Sequence, residues 1–136
     1  MIMVMLKKIF FISLVFVTIV SCSKRTDSLI VGEWMIEHVG QPGYPENAQW
    51  SFFDDGRLEA YNDINGLPDG TIVGDWKAFN RSIITPYIQI KNTGQKNLDG
   101  KWRVERLTKS QLVINRVEFG DGETAGAFLR REFLKK

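Results

Sequence analysis

Residues 49–61 read QWSFFDDGRLEAY. Trp50 and Phe52 alternate with Gln49 and Ser51, the period of two that sends apolar and polar side chains to opposite faces of a strand. Asp55-Gly56 then turns the chain, and a second extended run follows over 57–62. Asp54 and Asp55 could be taken for a carboxylate pair. Adjacent side chains at a strand end point apart, however, and Gly56 marks both as turn residues. The segment is a β-hairpin.

The same punctuation recurs outward from it, at Asp69-Gly70, Asp99-Gly100 and Asp121-Gly122. Runs rich in β-branched and aromatic residues lie between these turns, and they predict strands over 30–39, 48–54, 57–62, 71–79, 82–91, 101–107, 111–118 and 125–134. At most one helical turn is expected after residue 29, at 108–110. Eight short strands on short connections predict an all-β fold, an eight-stranded antiparallel up-and-down β-barrel. Alternation assigns the faces. Trp34, Ile36 and His38 oppose Glu33 and Glu37, Trp76 and Ile72 oppose Asp75 and Lys77, and Trp102 and Val104 oppose Arg103 and Glu105. Trp34, Trp50, Trp76 and Trp102 therefore each stand on the apolar face of a different strand. Continued parity brings Gln89 and Arg106 inside, with Arg116 a further candidate.

Gly32-Glu33-Trp34 opens the first strand and recurs 42 residues later as Gly74-Asp75-Trp76, with the hairpin between. This pattern resembles the lipocalins, whose first strand opens on Gly-x-Trp. More closely, it is similar to the small lipocalin-like domains of many Gram-negative lipoproteins. The resemblance covers 29–136 and implies barrel closure by Gly32, Trp34 and an arginine of the last strand, Arg130 or Arg131, packed over Trp34. The chain is shorter than a typical lipocalin, which argues against a deep ligand cup. The recurrence of Gly-x-Trp is read as two strands meeting one barrel demand.

Ahead of the barrel, Lys7-Lys8 precede the apolar run from Ile9 to Val20, the charged and hydrophobic regions of an export signal. The run has 12 residues where a spanning helix needs about 20. It ends in Ile19-Val20-Ser21-Cys22, which resembles the bacterial lipobox. That resemblance implies a cleaved signal peptide over 1–21, diacylglycerol and acyl chains (palmitate among them) on Cys22, and a short polar tether over 22–28. Ser23, rather than Asp, after the cysteine implies the outer membrane of a Gram-negative cell envelope. Each buried acyl methylene contributes about 0.8 kcal/mol, so two or more chains hold the domain at the bilayer.

Charge and composition exclude several chemistries. Lys7 and Lys8 account for the whole basic excess, because from Cys22 onward 16 Lys and Arg balance 16 Asp and Glu. That balance gives no clustered cations for nucleic acid. One cysteine and one histidine make neither an internal disulfide nor a four-ligand zinc site. Asp63, Asn65 and Asp69 loosely outline a calcium loop, but Gly66 and Pro68 break its spacing and no Glu closes it. No serine lies in a Gly-x-Ser-x-Gly turn, and with Cys22 used as anchor, His38 has no nucleophile to serve. No enzyme, metal or cofactor is expected.

The barrel interior remains. Eight strands enclose a space that side chains can fill or that one small ligand can occupy. The candidate lining is Trp34, His38, Trp50, Trp76, Trp102 and Arg106, with Phe52 adding a fifth ring. An inward charge needs a partner or water, so a shallow, partly wet pocket is expected, suited to an apolar ligand with an anionic head. The leading expectation is a lipid-anchored, non-enzymatic binding module for a small hydrophobic or amphiphilic ligand. The alternative is a structural lipoprotein whose filled barrel contacts another envelope protein. Enclosed volume separates the two.

Overall fold

The computed structural model describes residues 2–3, 25–38, 48–61, 70–80, 85–96, 98–125 and 130–136. Eight strands run β1 (Gly32–His38), β2 (Gln49–Phe52), β3 (Arg57–Tyr61), β4 (Thr71–Asn80), β5 (Pro86–Lys91), β6 (Gly100–Leu107), β7 (Gln111–Phe119) and β8 (Arg130–Lys135). Each pairs antiparallel with the next, and β1 pairs with β8, so the sheet closes into a barrel. The architecture is the expected one and is compatible with a lipocalin-like fold.

The opening hairpin forms as its sequence dictates. Trp50 pairs with Ala60 and Phe52 with Leu58, all four buried, and the turn between them is sewn by its own residues. Asp55 Oδ1 accepts from the Arg57 backbone N–H at 3.0 Å, and Gly56 takes φ +88°, which a Cβ would strain. Asp121 accepts from Glu123 N–H at 3.0 Å in the same way, with Gly122 at φ +90°. Asp99-Gly100 behaves differently. Asp99 accepts from both the backbone and the hydroxyl of Thr93, tying down the β5–β6 loop, while Gly100 is the first residue of β6.

Differences from the expected elements have local causes. Residues 25–30 form a short helix that delivers Ile30 into the core, where an extended tether end and strand start were expected. Residues 108–110 make no helical turn. Thr108 N–H donates to Gln111 O and its hydroxyl accepts from Ser110 and Gln111 N–H, which closes a tight β6–β7 turn. β8 begins at Arg130, five residues later than expected, and 126–129 lie outside the described residues, as do 82–84 ahead of β5. Gln89 faces outward, paired with Lys77, while Ile88 and Ile90 are fully buried.

The inward face is aromatic. Trp34, Trp50, Trp102, Phe52 and Phe133 are at most 1% exposed. Ring centroids lie 5.3 Å apart for Phe52–Trp76, 6.0 Å for Trp50–Phe52, 5.6 Å for Trp50–Trp102 and 5.1 Å for Trp50–Phe133. The contacts are tilted or edge-to-face, the arrangements that ring quadrupoles favour. These rings pack against one another along the barrel and form its core.

Candidate functional site

The barrel has two distinct ends. At the end where β1 begins, the Trp34 indole N–H donates to Ile30 O at 2.7 Å, and Ile30 plugs the barrel. The cation over Trp34 is Lys135, with Nζ 4.6 Å from the ring and donating to Val31 O at 2.7 Å and Leu29 O at 3.3 Å. Gly32 sits at φ +138° under the Lys135 stem, where a Cβ would come within 2.6 Å of Cε. Gly32 and Trp34 thus stand where closure was expected, but neither arginine does. Arg130 is exposed and bridges Glu105 and Glu132, each at 2.9 Å. Arg131 points into the barrel, over Trp50 at 5.2 Å and Trp102 at 5.6 Å. The cause is reach. Trp34 pairs directly with Lys135 across β1–β8, whereas Arg131 pairs with Ile114 on the opposite flank of β8.

The other end repeats this assembly. Trp102 N–H donates to Leu98 O at 3.0 Å, Leu98 is buried, and Gly100 takes φ +137°. Arg116, the cross-strand partner of Trp102, lies 5.7 Å over its ring and donates to Lys96 O at 3.1 Å. Even the approach matches, with Val31 N–H to Asp27 O at 3.0 Å and Asp99 N–H to Gln95 O at 3.0 Å. A local two-fold between β7 and β8 relates Ile30 to Leu98, Gly32 to Gly100, Trp34 to Trp102, Lys135 to Arg116 and Phe133 to Ile114. The two halves stand 68 positions apart on β1 and β6. Gly100-Lys101-Trp102 is the signal that sequence reasoning passed over.

Among the inward-facing positions of β7 and β8, one changes from charged to apolar across the two-fold. The equivalent of Arg131 on β7 is Leu112, so the β6 end holds an extra cation where the β1 end holds a leucine. Arg116 and Arg131 are 4% and 3% exposed, both against the Trp102 ring. Burial first, and the charge of Arg131 second, push the Arg116 guanidinium below its ordinary value. Arg116 also lies 4.3 Å over Phe119, and its Nε has no hydrogen-bond partner.

Of the other expected lining residues, Trp34, Trp50 and Trp102 belong to the packed core, and Trp76 is 8% exposed with its indole N–H on Phe53 O at 2.9 Å. Arg106 is not inside. A bulge between Val104 and Arg106 reverses the parity of β6, leaving Arg106 exposed and hydrogen-bonded to Gln111 at 3.1 Å. The His38 backbone pairs with Glu132 at the end of β1, and its side chain lies outside the described residues. Cys22 and the signal segment lie outside them too, apart from residues 2–3.

An open cleft of about 580 Å³ lies at the β1 end, between the 25–30 helix, the β2–β3 turn and β4. Val31, Trp76 and Ala78 give it apolar walls, and Asp27, Asp54 and Lys77 supply charge. Asp27 Oδ1 is buried with no hydrogen-bond partner, and burial raises the Asp27 carboxyl above its ordinary value. Among the described residues, no three His, Cys, Asp or Glu side chains gather as metal ligands. The chain matches no family model, and no curated protein is similar to it.

Proposed function

We propose that this chain is a lipid-anchored, non-enzymatic binding module of a Gram-negative cell envelope, probed by a small amphiphilic ligand from the membrane side. The observation that carries the binding reading is the cleft of about 580 Å³, within the ~300–1,000 Å³ typical of small-molecule pockets. Its apolar walls suit a hydrophobic body, and Asp27, Asp54 and Lys77 offer hydrogen bonds to a polar head. Anchoring at Cys22 supports the choice of ligand. The described chain resumes at residue 25, and three residues extend about 10 Å, so an acylated Cys22 would hold the β1 end, and the cleft with it, against the bilayer.

Native mass spectrometry of the protein in detergent-free buffer tests the binding reading. The expected result is a retained or bindable amphiphile that is lost in Ser28→Trp, which fills the cleft from an exposed position. An amphiphile unaffected by that change, or none bound at all, overturns it. The anchor is tested separately by Cys22→Ala. Loss of processing and of acyl chains is expected, and a normally acylated, membrane-bound product refutes it.

The packed aromatic interior favours a second reading, a structural lipoprotein that contacts another envelope protein. On the outer wall Met35 and Leu134 pair across β1–β8, 39% and 40% exposed. A Met35→Glu, Leu134→Glu chain that releases a partner cross-linked to the wild type, while leaving ligand binding intact, would select this reading.

A further inference from the structure

The wall that β4 gives to the cleft is also a free sheet edge. β3 pairs with β4 only as far as Arg57↔Asp75, and beyond that Trp76 N–H donates to Gly56 O at 2.8 Å. β4 nevertheless continues to Asn80, held over 77–80 by β5 alone. Along an antiparallel strand, the N–H and C=O of one residue point to one neighbouring strand and those of the next residue to the other. Trp76 turns its N–H to the β3 side, so Ala78 turns both of its main-chain groups, and Asn80 its N–H, the same way. Among the described residues nothing donates to or accepts from them there, and Ala78 lines the cleft. Such an edge is a template for one more strand.

The charge of the cleft narrows what that strand can carry. Asp27 and Asp54 enter no ion pair among the described residues, and Asp27 Oδ1 is buried without a hydrogen-bond partner. Lys77, the one cation of the lining, stands on the outward side of β4 opposite Gln89. We infer, resting on the reading of the cleft as a binding site, that its amphiphile is a short peptide, added to β4 in extended form with a basic side chain set against Asp27 and Asp54. Main-chain bonds to Ala78 and Asn80 fix its register, and alternate side chains meet the apolar walls at Val31 and Trp76. A fatty amine would answer the carboxylates but leave the Ala78 groups unpaired. The 25–30 helix and the β2–β3 turn stand across from the edge, so the space admits one extended segment and not the edge of a second barrel.

The probe is the peptide acetyl-Val-Lys-Val-Lys-Val-amide, titrated into the full chain as the cell produces it. Its controls are the same peptide with glutamates for lysines, the lysine peptide with every main-chain N–H methylated, and n-decylamine. Binding is followed by the amide resonances and hydrogen exchange of Ala78 and Asn80 and by the Trp76 indole N–H. The lysine peptide is expected to slow exchange at Ala78 and to bind about tenfold more tightly than the glutamate peptide, the ratio one charge-assisted hydrogen bond supplies. Methylation should abolish binding, and Asp27→Asn should narrow the preference for lysine. Ala78→Pro should abolish binding too while sparing the β4–β5 ladder, because that N–H faces away from β5. Equal affinity for the lysine and glutamate peptides, or binding that survives methylation, overturns the inference. So does slow exchange at Ala78 in the free protein, which would mean that the edge is already paired. Decylamine that moves Trp76 and is excluded by Ser28→Trp, with no peptide bound, overturns the peptide and spares the cleft. No probe bound overturns both.

Discussion

Replacing Trp34 or Trp102 by phenylalanine probes the two-fold closure directly. Each change removes an indole N–H that satisfies a carbonyl at a buried residue, Ile30 O at 2.7 Å and Leu98 O at 3.0 Å. A buried acceptor left unpaired costs about 1–3 kcal/mol, and the ring atoms lost from a fully buried site add about 1–2 kcal/mol through transfer and cavity terms. About 3 kcal/mol is therefore expected for each. Trp102 should cost somewhat more, because its edge-to-face contact with Trp50 adds about 0.5–1 kcal/mol. The two indoles sit at opposite ends and share no hydrogen-bond or ring partner, so the effects should add. Their sum is close to the whole stability of a typical domain, about 5–15 kcal/mol. Urea unfolding followed by far-UV circular dichroism is the assay. With m near 1–3 kcal/mol per molar, each single change should lower the midpoint by roughly 1–3 M, with m unchanged. The double variant should be largely unfolded without denaturant. A cost below about 1 kcal/mol at either position, with the other as expected, would refute the equivalence of the two ends.

Burial holds the Asp27 carboxyl above the ordinary 3.8, so the folded chain keeps that proton to higher pH than the unfolded chain. Between those two values stability falls as pH rises, and above them the ionised carboxylate is a constant handicap. Asp27→Asn should therefore melt higher than wild type at pH 7, an advantage that disappears in melts below pH 3.8; a constant difference at all pH would contradict the assignment. Gly100→Ala should destabilise by more than about 3 kcal/mol, because φ is +137° and its Cβ would fall on the Glu118 carbonyl oxygen. Gly94→Ala should cost only about 1–2 kcal/mol, since φ is +71° but nothing lies within 4 Å, and paired urea titrations separate the two. Arg106→Ala should leave both the urea midpoint and ligand binding unchanged; altered binding would mean that Arg106 reaches the interior despite the bulge.

The hairpin at 49–61, the number of strands and the Trp-bearing faces were legible because each rests on local chemistry: period-two alternation, Asp-Gly turns and β-branched runs. What failed depended on register. One bulge between Val104 and Arg106 sends Arg106 to solvent, and no composition rule announces it. Closure by an arginine failed for a related reason. Arg130 and Arg131 were chosen by residue type, but cross-strand pairing decides which side chain meets Trp34, and it selects Lys135.

The Gly-x-Trp recurrence sharpens the point. Residues 30–34 read IVGEW and 72–76 read IVGDW, nearly the same string, while 98–102 read LDGKW. The nearly identical pair is not the equivalent one. Gly74 lies inside β4, where a Cβ would meet Thr93 Cγ2 at 2.5 Å and Lys91 O at 2.8 Å, so there glycine makes room for the β5–β6 loop. Trp76 donates across to the β2–β3 turn instead of back to its own approach. Gly32 and Gly100 instead open strands at positive φ after a short i to i−4 turn, and that geometry lets each following indole reach back to the residue four before it. String similarity reports residue type at a strand position, whereas closure depends on how the chain enters the strand. Seen through entry geometry, the β1 and β6 ends are the same device built twice. Leu112 and Arg131 then mark where they part, one end finished by an apolar side chain and the other by a second buried guanidinium.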